Sequence, residues 1–142
     1  MIFLILDDYK NPVGLVGFMT KDVVEPTIVE MLKLEDHPDA HQSVMSNGKG
    51  MRYYMNMDHI NEAYMIGFKE NSITLVKDMM KIIDLMLEEY PIVSWSCDST
   101  APVKKIYDRL YKSKKWDMYT TNPNCDYFGK AYTQYAIKGK GL

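Results

Sequence analysis

The stretch from Glu62 to Cys97 leaves the fewest folds open to this chain. Between about Ser72 and Glu89, Ile73, Val76, Met79, Met80, Ile83, Met86 and Leu87 fall on one stripe, and Lys77, Asp78, Lys81, Asp84 and Glu88 fall opposite. That 3.6-residue period predicts an amphipathic helix with one face against a core. Asn71 or Ser72 can satisfy its first orphan N–H groups, and Pro91 ends it. Apolar runs flank the helix on both sides, Glu62–Phe68 before it and Ile92–Cys97 after it. A strand–helix–strand unit of this length is the right-handed crossover that joins two parallel strands.

The remaining segments read mainly as strands. Ile2–Leu6 and Val13–Met19 flank the turn-like Tyr9-Lys10-Asn11-Pro12, which predicts a hairpin. Asn47-Gly48 lies between His41–Met45 and Met51–Met57, and Asn-Gly takes the positive φ of a tight hairpin turn. Residues 25–35 fit a short helix with Pro26 in its first turn, or an extended segment. A second helix opens around Ser99-Thr100-Ala101-Pro102 and carries Val103, Ile106, Tyr107 and Leu110 at helical spacing. Two strands, Trp116–Thr121 and Tyr132–Ile137, close the chain around Asn122-Pro123-Asn124. The expectation is a single domain over residues 1–142 of mixed α/β class. It has one twisted, mostly antiparallel sheet with a central parallel pair flanked by helices.

Composition narrows the classes of function. A chain of 142 residues that is 46% hydrophobic and 25% charged can bury one core without metal or disulfide staples. Its net charge of -2 supplies no general basic field for nucleic acid. The first residues lack the basic region and cleavage site of a signal peptide, and no apolar run approaches twenty residues. A cytoplasmic protein without a membrane partner is expected. Cys97 and Cys125 have no CxxC neighbour, which argues against a zinc ribbon; whether the two are bridged stays open.

The order of elements, read with particular residues from about Glu62 to Ile137, resembles the GNAT acyltransferase family. The second helix carries Thr100-Ala101-Pro102-Val103-Lys104-Lys105-Ile106-Tyr107, close to a family run of Asn, Ala, variable residues, an apolar residue and Tyr. The resemblance implies a fold in which two parallel strands splay and acetyl-CoA pairs with the opened strand edge. It implies Tyr107 as the acid that protonates the departing thiolate, and Glu62 as the base that takes the amine proton. Cofactor contacts would come from Ile66, Gly67, Phe68, Lys69, Asn71, Ser72 and Thr100. The family holds the CoA pyrophosphate with a Q/R-x-x-G-x-G/A loop. Here the matching stretch is Gly67-Phe68-Lys69-Glu70-Asn71-Ser72, with one glycine and an added carboxylate.

Phe3–Gly17 also resembles the family's hairpin, and so does the Asn47-Gly48 hairpin; the sequence leaves both matches open. The activity implied is transfer of an acetyl group to the amine of a small-molecule or protein acceptor. A short chain with a worn pyrophosphate loop also resembles GNAT-like proteins of bacteriophages, which would place it in the host cytoplasm. The alternative is an inactive descendant of the fold that works in interaction or assembly, as a homo-oligomer or with a protein partner.

Other constellations are weaker. His37, His41 and His59 have no HExxH-like spacing, so no metal site is expected. Ser94, Ser96 and Cys97 lack the surroundings of a nucleophile elbow. Lys104, Lys105, Arg109, Lys112, Lys114 and Lys115 form a basic cluster, most simply a solvated face and only distantly a nucleic-acid contact.

Overall fold

A computed structural model describes residues 1–21, 24, 26–34, 36–37, 40–44, 51–55, 62–68, 74–121, 125–127, 129–140 and 142. In chain order the elements are β1 (Ile2–Leu6), β2 (Pro12–Lys21), α1 (Pro26–Met31), β3 (Ala40–Val44), β4 (Met51–Met55), β5 (Glu62–Phe68), α2 (Thr74–Glu89), β6 (Ile92–Asp98), α3 (Lys104–Lys112), β7 (Asp117–Thr120), β8 (Cys125–Tyr127) and β9 (Lys130–Lys138). The class is mixed α/β.

The expectation of one sheet needs correction. Among the described residues β3 and β4 form a two-stranded antiparallel sheet of their own. The larger sheet runs β1-β2-β5-β6-β9-β7, with β8 also paired to β9. The β1–β2 hairpin is therefore the one that continues into β5, and β3–β4 is inserted between β2 and β5. Sequence could not rank the two hairpins, because strand neighbours are fixed by contacts distant in the chain. The β1–β2 turn has a local cause: the Asp7 carboxylate accepts the N–H groups of Tyr9 and Asn11, each at 2.9 Å, and Lys10 takes a positive φ of 64°.

Other expected bounds shift for local reasons. The segment at 25–35 is helical over Pro26–Met31. The second helix starts at Lys104, because residues ahead of it are held in turns. Ala101 N–H donates to Asp98 O at 2.9 Å, and Lys104 N–H donates to Ala101 O at 3.1 Å. The expected caps Asn71 and Ser72 lie outside the described residues.

Alternation along β6 and β9 builds two cores on opposite faces of the large sheet. Val93, Trp95 and Cys97 join Tyr135 and Ile137 beneath α2 and α3, with Met79, Ile83 and Met86 of α2 and Ile106, Tyr107 and Leu110 of α3. Ile92 and Ala136 face the other way, against Val24, Ile28, Val29, Leu32 and Leu34 of the α1 region.

Candidate functional site

The strand carrying Glu62 contains an irregularity that shapes its surroundings. On the β2 side Gly17 pairs with Gly67 and Phe18 pairs with Met65, so Ile66 is an extra residue opposite no partner. A bulge of this kind bends its strand and increases the local twist. On the other side β5 and β6 run parallel, pairing Glu62 with Ile92, Ala63 with Val93 and Tyr64 with Ser94. The pairing ends there, although β5 continues to Phe68 and β6 to Asp98. The two strands therefore part where the bulge begins. Main-chain groups of Met65–Phe68 and Trp95–Asp98 are left without partners across the gap, among the described residues.

Tyr107 lies under the parted end of β6 and is 5% exposed. Its ring packs on Trp95 with centroids 5.4 Å apart and on Tyr135 with centroids 5.5 Å apart. Trp95 in turn stacks on Tyr135 at 5.5 Å and 18°. Burial, and then the neighbouring Cys97, push the Tyr107 hydroxyl above the usual tyrosine range. At neutral pH this hydroxyl therefore stays protonated. Tyr107 is thus a core aromatic whose ring lies beside the gap.

Around the aromatic trio, Tyr135 and Asp108 carried no functional signal in the sequence. Tyr135 Oη donates to Asp108 Oδ1 at 2.8 Å, and Lys104 Nζ donates to Asp108 Oδ2 at 2.8 Å, which ties β9 to α3 beneath the aromatic trio. Burial, with the hydrogen bond to Asp108 next, raises the Tyr135 hydroxyl as well. Cys97 is a free, buried thiol, pushed up to about 11 chiefly by burial, so it is neither bridged nor a ready nucleophile. A contact such as Tyr135–Asp108 spans 27 residues, and only the fold brings the pair together.

The other expected site residues are spread along the gap. Ile66, Gly67 and Phe68 occupy the bulged end of β5. Glu62 begins β5 at the level of Ile92, three residues below Trp95, or about 10 Å along the strand. Thr100 is committed locally: its N–H and its hydroxyl both donate to Asp98 Oδ1, at 2.8 Å and 2.7 Å, and these bonds hold that carboxyl below its usual range. Thr100 thereby shapes the turn into α3. Lys69, Asn71 and Ser72 lie outside the described residues.

Of the basic cluster, Lys104 is engaged by Asp108, and Lys115 by Asp84, which also accepts Trp116 Nε1–H at 2.8 Å. Lys105, Arg109 and Lys112 form an exposed stripe on α3. A groove of about 760 Å³ lies between the end of α2 and β7, where Lys115, Lys138 and Lys140 face Asp84, Glu88 and Asp117, so its charges balance. No cluster of three or more His, Cys, Asp or Glu suited to a metal occurs among the described residues. None of the described helices is long and apolar enough to cross a membrane. Compared with family models, with curated proteins and with solved structures, the chain matches none.

Proposed function

We propose that the chain is a GNAT-like, acyl-CoA-dependent N-acyltransferase that moves an acetyl group to the amine of a small-molecule or protein acceptor. The observation that carries this reading is the gap between β5 and β6. Two parallel strands pair over three residues and then part at a bulge, leaving extended main chain on both sides. Such edges suit a ligand with amide groups along its length, which can add to a strand as another strand would. The order of strands around the gap supports the same reading, with a hairpin and β5 on one side and β9 and β7 on the other.

Acetyl-CoA would supply the activated thioester. The acceptor nitrogen would attack the thioester carbonyl carbon, and the carbon–sulfur bond would break. Tyr107 would give its hydroxyl proton to the departing sulfur, and Glu62 would take the proton released by the amine, directly or through one water. A distance near 10 Å along the strand between the levels of Glu62 and Trp95 leaves space for the reacting groups between base and acid.

A thermal-shift titration tests the reading. At a hundred times its dissociation constant, acetyl-CoA is expected to stabilise the fold by about 2.7 kcal/mol, which raises Tm by roughly 5–15 °C. An unchanged Tm at millimolar acetyl-CoA would remove the proposal. A second reading, a non-catalytic GNAT-like protein used in interaction or assembly, is favoured by the near-complete burial of Tyr107 and by the single glycine in Gly67–Ser72. It is separated from the first by the same titration.

A further inference from the structure

Helix α3 buries Ile106, Tyr107 and Leu110 against the core and turns a row of cations outward. Lys105, Arg109 and Lys112 follow one another at helical spacing, and Lys114 lies just past the last turn; all four are exposed. None of the four has an ion-pair partner among the described residues. The acid of this stretch, Asp108, is already taken up by Lys104 and by Tyr135 Oη. Lys115 is likewise held by Asp84. Tyr111 stands amid the unpaired cations and is 43% exposed.

Helix stability does not account for this pattern. Arg109 and Lys112 sit in the last turn, where the helix dipole favours cations, but Lys104 and Lys105 open the helix, where it disfavours them. The first turn holds no acid, and no side chain caps it. Residues 104–115 carry six of the seventeen basic residues of the chain and one of its nineteen acidic ones. The remainder is therefore net acidic, and a polyanion is drawn to this face in preference to the others. We propose that the outer face of α3 binds single-stranded nucleic acid. Lys105, Arg109, Lys112 and Lys114 contact phosphates, and Tyr111 stacks on a base. Lys105 and Arg109 lie about 6 Å apart along the helix axis, close to the interval between neighbouring phosphates of a flexible strand. Cations beside an exposed ring are the combination that single strands use, whereas an acidic peptide offers charge but no base for the ring. The contact uses none of the residues assigned to acetyl transfer.

Fluorescence anisotropy of a labelled oligothymidylate of about 15 nucleotides, titrated with the full chain, tests this. With three or four phosphates neutralised, affinity is expected to fall roughly 20–50-fold between about 50 and 200 mM salt. The double variant Lys105→Ala, Arg109→Ala should bind more weakly and make the salt slope shallower by about 1–2, because two phosphate contacts are gone. Tyr111→Ala should weaken binding by roughly 5–100-fold and leave the slope unchanged, because stacking releases no counterions. All three side chains are exposed, so the variants keep the fold, which circular dichroism checks. No binding at about 50 mM salt overturns the inference, as does binding that the double variant or Tyr111→Ala leaves unaltered. Polyglutamate bound as tightly as the oligonucleotide would assign the face to an acidic protein and equally overturn it.

Discussion

In the proposed acetyl transfer, Tyr107→Phe is expected to slow the reaction by ~10²–10⁴-fold, the contribution of a positioned proton donor, while leaving the fold intact. The substitution removes one oxygen and keeps the ring that packs on Trp95 and Tyr135. Among the described residues no group hydrogen-bonds the Tyr107 hydroxyl, so none is orphaned by its loss, and the change in stability should stay within about 1 kcal/mol. A large kinetic effect with a small thermodynamic one is the signature of a proton donor. The reverse, or no effect on rate, would leave Tyr107 as a packing residue only. The pH profile adds a second readout. Burial raises the Tyr107 hydroxyl above its ordinary value, so the donor form persists through and beyond the usual tyrosine range. Wild-type turnover should therefore show no alkaline fall from this group below about pH 10. A fall there would point to a different acid.

Trp95→Ala is expected to cost the fold ~3–5 kcal/mol, enough to unfold a substantial share of a domain of ordinary stability. Trp95 is among the largest fully buried side chains, lies at the parted end of β6 and is the ring on which both Tyr107 and Tyr135 rest. Its indole N–H is buried with no hydrogen-bond partner among the described residues, itself a cost to the folded state. Trp95→Phe removes that N–H together with part of the ring. Relief of the orphaned donor should offset part of the cavity, leaving a loss below about 2 kcal/mol. Chemical denaturation of both variants measures the pair. If Trp95→Phe proved as damaging as Trp95→Ala, the indole N–H would have to be satisfied in solution.

The sequence revealed those parts of the fold whose signal is local and periodic. The stripe of α2 and the apolar run of β6 stand out because a period of 3.6 or a short apolar block is unambiguous over such lengths. Even so, Ile82 is buried although it was absent from the expected stripe, since packing widened the apolar face. Strand β8 has only three residues, too few to show any period. The separation of β3–β4 from the main sheet depends on pairings across the chain, which no local pattern encodes.

The candidate site divides in the same way. Tyr107 could be named from its helical spacing and its resemblance to a family run, and the Asp98–Thr100 turn from residue types that cap locally. Trp95, Cys97, Tyr135 and Asp108 converge only because β6, β9 and α3 stack, so their roles could not be read from spacing. The bulge at Ile66 left one faint trace, Gly67, whose missing side chain eases an irregular strand but does not announce it.

The most direct test of the central claim is to map where acetyl-CoA touches the protein, by following backbone amide resonances during a titration. Binding in the gap should move the amides of Met65–Phe68 and Trp95–Asp98 most, with little change along β1 or β7. Saturable shifts confined to some other surface, or none at millimolar cofactor, would contradict the account and leave the parted strands without a ligand.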